Sequence, residues 1–241
     1  MRGAGKIGNI PSGLVPRIGM TIMQPEDEDR RLRAGFLSLF CCVLLAPLQL
    51  QADASTGGNM ENGKAIAEKK CDRCHGPDGV SDDADTPHLA MQSAAYLVKQ
   101  MKDYKSRVRD DKNMYKRVSN LDEQQMTDIG LWYESQPLPE TVPLVMKELK
   151  VPQLVNMGDP ARAIPPCEIC HGKDGKTVAG EVPVLAGQQV DYLISTMGYF
   201  KDGTRSNDPG GVVTTIIKKL SDIEVEALAR YYAALGGRPA E

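Results

Sequence analysis

The 241-residue sequence is poor in cysteine and histidine, with six and three respectively. Cys41 and Cys42 lie in an N-terminal apolar segment, and the other four cysteines form two C-x-x-C pairs, so none remains for a structural disulfide. Beyond residue 54 the sequence also lacks a notable alternation of apolar and polar residues, which is the pattern of a half-buried strand. These absences exclude a disulfide-stapled fold and predict an all-α one.

Long hydrophobic runs are absent as well. The apolar segment Ala34 to Leu48 is shorter than the roughly 20 residues of a membrane-spanning helix, and Pro47 interrupts its end. Three arginines at positions 30, 31 and 33 precede the segment, and Ala52-Asp53-Ala54 follows it as a small-residue cleavage site. This order is typical of a secretory signal peptide, with a retained anchor as the alternative. We expect residues 1–54 to comprise an upstream extension and a signal peptide cleaved near Ala54, which places the mature protein in the periplasm.

An excess of positive charge is missing too. The residues after position 54 include 23 Lys+Arg and 27 Asp+Glu, a net charge of −4. Proteins that bind nucleic acid use basic surfaces, so this balance argues against a nucleic-acid partner.

Two short motifs organise what is present. Cys71-Asp72-Arg73-Cys74-His75 and Cys167-Glu168-Ile169-Cys170-His171 both read C-x-x-C-H, the attachment signature of c-type haem. Two thiols at this spacing can add to the two vinyl groups of one porphyrin, and the next residue then lies beside the iron. We therefore predict two covalent haem c groups, with His75 and His171 as axial ligands. The predicted attachment residues are Cys71, Cys74, Cys167 and Cys170.

Other uses of C-x-x-C fit less well. A thioredoxin-like redox pair, half of a zinc site and a disulfide hairpin are the alternatives. A zinc site favours two such pairs about 15–20 residues apart, whereas 92 residues separate Cys74 from Cys167. A histidine directly after both pairs has no role in the thioredoxin interpretation, so two haems remain the favoured one.

The chain contains an internal repeat. The two motifs lie 96 residues apart, and many downstream residues recur at the same interval. The pairs include Gly79 with Gly175, Gln92 with Gln188, Tyr96 with Tyr192, Met101 with Met197, and Arg109 with Arg205. The interval becomes 99 where Leu121 matches Leu220. We therefore predict two copies of one small domain, at residues 55–136 and 151–241, joined by a proline-containing linker at 137–150.

Apolar periodicity predicts helices in both copies. Those of the first copy are expected at Met60–Lys70, Ser93–Arg107 and Asp122–Ser135, with an irregular stretch from Arg109 to Asn120. Those of the second copy are expected at Gln188–Lys201 and from a capping box at Ser221 and Glu224 to Leu235. Each copy would be a small all-α domain wrapped around one covalent haem.

The order helix, C-x-x-C-H, Pro-x-Leu, helix, methionine loop, helix resembles a class I cytochrome c. Its duplication is similar to the di-haem cytochrome c4 family, above all in the runs 183–188 (PVLAGQ) and 207–209 (NDP). The resemblance covers nearly all of the chain beyond the signal peptide. It implies two haems with methionine and histidine ligands, and it implies that the Pro87 and Pro183 carbonyls orient the axial histidines.

The sequence also departs from that family. Met114 lies seven residues before Leu121, as the family's axial methionine requires, so we expect it to bind the first haem. At the matching place in the second copy stands Val213, and residues 210–215 contain no methionine. An open or water-bound iron is the favoured outcome for the second haem. Four side chains are the alternative ligands: Met197, Met157, Lys218 and Lys219.

Two smaller departures lie in the first copy. Met91 occupies the position of the family's glycine. His88, which follows Pro87, is expected to be exposed on its loop, with a role as a haem ligand as the alternative.

The resemblance implies an electron carrier, not an enzyme, that passes electrons between periplasmic or membrane-bound redox partners. The partners would be an oxidase, a reductase or a dehydrogenase. One alternative is the cytochrome subunit of a larger oxidoreductase, such as a flavocytochrome sulfide dehydrogenase. Another is a ligand-binding or catalytic protein that uses an open second haem. Peroxidase chemistry needs distal acid–base groups, and the second copy has no spare histidine to supply one.

Overall fold

Helices provide the regular structure of residues 57–138, 152–176 and 180–236, which are the residues described by the computed structural model of this chain. No β-strand occurs in these ranges, where a single antiparallel bridge joins Asp159 to Ile164. The prediction of an all-α fold is therefore confirmed. The expected signal peptide, its cleavage site and linker residues 139–150 lie outside the described residues. Within the described ranges, no helix combines the length and the apolar character that crossing a bilayer requires.

Domain 1, the described residues 57–138, contains five helices. They are α1 (Met60–Lys70), α2 (Asp72–His75), α3 (Ala94–Ser106), α4 (Lys112–Val118) and α5 (Glu123–Glu134). The predictions of α1, α3 and α5 are confirmed to within a residue. The expectation of an irregular stretch before Asn120 is wrong, because α4 forms there. The Asp111 carboxylate caps this helix by accepting hydrogen bonds from the amides of Asn113 and Met114, both at 2.8 Å.

Domain 2, the described residues 152–176 and 180–236, repeats most of this order. Its helices are α6 (Gln153–Asn156), α7 (Glu168–His171), α8 (Val190–Asp202), α9 (Val212–Ile217) and α10 (Asp222–Ala233). The predicted capping box at the start of α10 is confirmed: the Ser221 hydroxyl accepts from the Glu224 amide, and the Glu224 carboxylate accepts from the Ser221 amide. The domain boundaries drawn from the sequence remain predictions.

The two domains differ in how their last helix is anchored. In domain 1, α1 crosses α5 at Gly63, where a Cβ atom would overlap the Asp128 carbonyl. Asp128 is 1% exposed, and its carboxylate accepts hydrogen bonds from the amide of Asn59, the side chain of Asn62 and the side chain of Gln124. Burial opposes ionisation of Asp128, but these hydrogen bonds outweigh it and lower its pKa. The crossing is thus held by close backbone approach and a buried carboxylate.

In domain 2, only the four-residue α6 stands in place of α1, and ion pairs anchor the last helix. The Arg162 guanidinium, on a 3₁₀ turn at Pro160–Arg162, bonds to Asp159 at 2.6 Å and to Glu224 at the start of α10 at 2.5 Å. The hydrogen bonds from Arg162 hold the pKa of Glu224 at about 2. A partly exposed ion-pair cluster therefore replaces the helix crossing of domain 1.

The apolar core of each domain lies between two helices, α3 and α5 in domain 1 and α8 and α10 in domain 2. In domain 1, Leu97 and Met101 of α3 meet Ile129 and Tyr133 of α5, and α8 and α10 contribute the corresponding residues in domain 2. The repeated glycines serve this packing, because a Cβ on Gly175 would lie 2.7 Å from the ring of Tyr232. The same close approach occurs between Gly79 and Tyr133.

Candidate haem sites

The first motif forms a site at the junction of α1 and α2, called haem site 1 (Cys71, Cys74 and His75). His75 is 7% exposed, and its Nδ1 atom lies 3.0 Å from the Pro87 carbonyl oxygen. A carbonyl oxygen can only accept, so Nδ1 carries the proton and Nε2 keeps its lone pair. Burial lowers the pKa of His75, and the Pro87 carbonyl acts in the opposite direction. The ring is therefore a neutral imidazole with a free ligand atom.

Haem site 2 (Cys167, Cys170 and His171) repeats this geometry on α7. The Nδ1 atom of His171 lies 3.1 Å from the Pro183 carbonyl oxygen, and burial lowers the pKa of the ring. The expected role of both proline carbonyls in orienting the histidines is confirmed. A hydrogen bond from the ring nitrogen that does not bind the metal fixes the tautomer of a metal-bound histidine.

The four thiols are free, and one thiol of each motif is shielded. Cys71 and Cys167 are half-buried, whereas Cys74 and Cys170 are exposed. Burial raises the pKa of the Cys71 thiol to about 11, an effect that the Tyr133 hydroxyl beside it partly offsets. Burial likewise raises the pKa of Cys167. Protonated thiols do not suit a thiolate metal site, and the described residues contain no cluster of three or more His, Cys, Asp or Glu able to hold a metal ion.

Both motifs open into one continuous cavity of about 1170 Å³ that runs through both domains. This volume exceeds the roughly 300–1,000 Å³ of ordinary small-molecule sites. Apolar side chains of α3, α5, α8, α9 and α10 contribute to its walls. The structure brings every residue predicted for attachment or ligation to this cavity: Cys71, Cys74, His75, Met114, Cys167, Cys170 and His171.

Comparison with known proteins agrees with this geometry. The cytochrome c family model matches residues 60–135. Over 189 residues the chain is 34% identical to cytochrome c4 of Thiocapsa roseopersicina, an alignment that covers 77% of this chain and 97% of that protein. The chain belongs to the cytochrome c4 family. It is also 33% identical over 195 residues to the thiosulfate dehydrogenase electron acceptor of Stutzerimonas stutzeri strain A1501, covering 78% of this chain and 90% of that protein.

Comparison with solved structures supports the same family. The crystal structure of reduced recombinant cytochrome c4 from Pseudomonas stutzeri matches with a TM-score of 0.65 and 28% identity, over 74% of this chain and 99% of that one. Cytochromes c4 are di-haem electron carriers with two covalent haem c groups, and they are not enzymes, so the predicted function class and cofactors are confirmed. The residues present fit that cofactor, since each site offers two thiols, a neutral imidazole with a free Nε2 atom and an apolar cavity.

The two sites differ at the residue that the sequence predicts as the sixth ligand. Met114 on α4 is half-buried and lines the cavity at site 1. Val213 lies at the matching place on α9 and also lines the cavity. A valine side chain has no lone pair, so it cannot replace the thioether of a methionine.

Three of the four alternative ligands for site 2 lie away from the cavity. Met157 is 64% exposed, and Lys218 is exposed. The Lys219 ammonium donates to the Ala163 carbonyl at 2.9 Å. Met197 does line the cavity, as does its repeat counterpart Met101 in domain 1.

His88, the third histidine, is half-buried, so the expectation that it is exposed is wrong. Its Nδ1 atom accepts a hydrogen bond from the Ser81 amide at 3.0 Å. The backbone of the same loop is held by domain 2, which accounts for the burial.

Reciprocal glutamines join the two domains. The Gln92 side chain donates to the Val184 carbonyl at 3.0 Å and accepts from the Val184 amide at 2.8 Å. The Gln188 side chain makes the same pair of bonds, both 2.9 Å, to the backbone of His88. Each glutamine therefore holds the Pro-x-Leu loop of the other domain, the loop that orients the axial histidine.

Two arginines meet beyond the glutamines. Arg109 donates to the Tyr192 hydroxyl at 3.2 Å, and Arg205 donates to the Tyr96 hydroxyl at 3.0 Å. Both guanidinium groups also bond to the Gln100 side chain. Burial opposes ionisation of Tyr192, but the two arginines outweigh it and lower its pKa to about 8. The sequence shows the two arginines and the two tyrosines as repeat pairs, but it assigns them no role. The signal that could have revealed this contact is that polar residues recur at these positions in both copies.

Proposed function

We propose that this cytochrome c4 is a periplasmic electron carrier in which Cys71, Cys74 and His75 hold one haem and the second motif holds the other. Met114 is the sixth ligand at site 1. The observation that carries the proposal is the pair of Nδ1–carbonyl contacts, which leave two Nε2 atoms free in one cavity together with two pairs of thiols. Nothing else in the arrangement explains why both copies keep this geometry.

Bound haem c supplies a one-electron couple, and the protein sets its environment. Apolar side chains of α3, α5, α8 and α10 form part of the cavity lining and would shield a bound haem from water. Arg109 and Arg205 line the cavity where the domains meet, and neither forms an ion pair with a carboxylate of the described residues. Their positive charge would suit haem propionates, and both guanidinium groups bond to the same Gln100 side chain.

The partners are redox proteins. The relative from Stutzerimonas stutzeri is named an electron acceptor of thiosulfate dehydrogenase, which supports a dehydrogenase as the class of electron donor. A membrane-bound oxidase or reductase is the class of acceptor. The same relative supports a second candidate function, in which the chain is the cytochrome subunit of a larger oxidoreductase and co-purifies with its dehydrogenase in fixed stoichiometry.

Mass spectrometry of the protein produced in a periplasm with c-type haem maturation tests the proposal. The expected mass lacks the residues through about Ala54 and gains two haem groups. Replacing both thiols of one motif, as in Cys71→Ala/Cys74→Ala, should remove one haem and leave the other. A wild-type protein with one haem, or with zinc, would overturn the proposal.

A further inference from the structure

Helices α4 and α9 occupy the same place in the two copies. Each follows the repeated arginine (Arg109 or Arg205) and ends just before the repeated leucine that enters the last helix. Each contributes one half-buried side chain to the cavity seven residues before that leucine. In α4 this side chain is Met114, a ligand-forming thioether, and in α9 it is Val213.

No other part of α9 supplies a ligand atom. The side chains that this helix places in the cavity lining are all apolar: Val212, Val213, Ile216 and Ile217. Its two threonine hydroxyls are already engaged, since the Thr214 hydroxyl donates to Asp208 at 2.6 Å and the Thr215 hydroxyl to the Gly211 carbonyl at 2.7 Å. The part of the cavity lining that α9 contributes is therefore hydrocarbon.

Met197 is the remaining thioether that lines the cavity near site 2, and comparison with domain 1 indicates that it is a packing residue. Its counterpart Met101 lines the same cavity from the same turn of α3 and belongs to the domain 1 core. Domain 1 has its ligand on α4 and still keeps Met101. A methionine at this position of both middle helices is thus a packing residue in both domains.

We infer that α9 leaves the sixth coordination position at haem site 2 open, as a binding site for a small uncharged diatomic molecule. The inference rests on the proposed function, because it needs a haem held by His171. An uncharged ligand such as carbon monoxide or nitric oxide suits the hydrocarbon side chains of α9, which offer an anion no partner to compensate for its lost hydration. The two sites of one chain thus differ in kind: site 1 is closed by Met114, and site 2 is open.

Carbon monoxide titration of the reduced holoprotein tests the inference. The expected uptake is one carbon monoxide per chain carrying two haems, read from the difference spectrum. Val213→Met should abolish the uptake, and Met114→Val should raise it to two. Met197→Leu, the matched control, should leave it at one.

No uptake by the wild type would overturn the inference, and uptake that appears only in Met197→Leu would identify Met197 as the ligand. Haem content is counted separately by mass. Fewer than two haems per chain refutes the proposed function, whereas two haems without carbon monoxide uptake refutes only the open site.

The two copies also differ in the charge of the side chains around the cavity entrance. Four basic side chains of domain 1, called the cationic rim, line the cavity: Lys70, Arg73, Lys116 and Arg117. The matching positions of domain 2 are Pro166, Ile169, Thr215 and Ile216. None of the four basic groups forms an ion pair with a carboxylate of the described residues.

The cationic rim surrounds the attachment point of the first haem. Lys70 directly precedes Cys71 in the chain, Arg73 lies between the two cysteines, and Lys116 and Arg117 line the same cavity from α4. Two carboxylates, Asp85 and Asp111, also line this part of the cavity, so the four basic groups leave a positive balance of two charges there. A local positive surface on a chain with net charge −4 beyond residue 54 marks a place for a negatively charged partner.

We propose that the cationic rim docks the acidic surface of a redox protein at haem site 1. Surface charge of this kind steers encounter and sets the on-rate, and salt weakens it over a Debye length of about 8 Å at physiological ionic strength. Domain 2 offers no such rim, so the two haems meet partners of different surface chemistry.

Ferricyanide, a small anionic oxidant, is the probe for this surface. It accepts one electron from the reduced holoprotein and becomes ferrocyanide, and stopped-flow absorbance gives the rate. Lys116→Glu should slow the oxidation several-fold at about 10 mM ionic strength and far less at about 500 mM. With tris(phenanthroline)cobalt(III), a cationic oxidant, the same change should speed the reaction.

Lys218→Glu is the matched control, because Lys218 is exposed on domain 2 and does not line the cavity. Its effect should be small with both oxidants. Equal effects of the two substitutions, or no effect of Lys116→Glu, would overturn the docking proposal.

Discussion

Replacing Gln92 by leucine should loosen the two domains of this cytochrome c4 from each other. Gln92 is 6% exposed and Val184 is 3% exposed, so their hydrogen bonds are closed off from water. Leucine is close to glutamine in volume and fills the same space. The substitution therefore removes the amide group and leaves three buried backbone groups without partners: the Val184 N–H, the Val184 C=O and the Ser93 N–H.

The expected cost follows from those three groups. An unsatisfied buried backbone group costs about 1–3 kcal/mol, so Gln92→Leu should lower the free energy of unfolding by about 3 kcal/mol. For a chain of this size, that loss lowers the melting temperature by roughly 6–12 °C. Gln188→Leu should have an effect of similar size, because Gln188 makes the equivalent pair of bonds to His88.

Scanning calorimetry of the holoprotein measures both changes. Gln153→Leu is the matched control, since Gln153 is exposed on α6 and its side chain makes no hydrogen bond within the described residues. A change in melting temperature no larger than that of the control would refute the assignment of Gln92 to the interdomain contact.

Further predictions concern the ligand, the helix crossing and pH. Met114→Ala should abolish the methionine-to-iron charge-transfer band and lower the potential of one haem, and an unchanged spectrum would show that Met114 is only core. Gly63→Ala should destabilise domain 1 by about 1–3 kcal/mol in chemical denaturation through overpacking against α5, while Gly57→Ala, where a Cβ meets nothing within 4 Å, should have little effect. The pKa of Glu224 is depressed to about 2 in the folded protein, from about 4.3 when unfolded. Its contribution to stability is present above the unfolded pKa and is lost as the pH falls toward 2. Arg162→Gln should therefore flatten the stability profile of domain 2 between about pH 4.5 and 2, and an unchanged profile would contradict the role of the ion pair.

The haem attachment sites could be read from the sequence because their chemistry depends on local spacing. Two thiols and a histidine within five residues need only one helical turn to converge, and the structure shows α2 and α7 providing it. The helices with apolar periodicity were predictable for the same reason. The missing methionine at Val213 was visible because the chain carries its own reference copy.

The missed features depend on contacts between distant residues or on weak local preferences. Helix α4 is short and highly polar, so periodicity does not reveal it, although its cap Asp111 is a standard helix start. The bonds of Gln92 and Gln188 join residues 92 to 100 positions apart, and only the packing of whole domains brings them together. The replacement of a helix crossing by Arg162 in domain 2 likewise follows from tertiary structure.

A spectroelectrochemical titration of the purified holoprotein examines whether the chain is a di-haem electron carrier with two unequal sites. Two one-electron steps per chain are expected, and the haem that binds carbon monoxide should take the lower potential because it lacks a thioether ligand. Two haems of the same potential that both ignore carbon monoxide would contradict the inequality, and a chain without reversible one-electron steps would contradict the function itself.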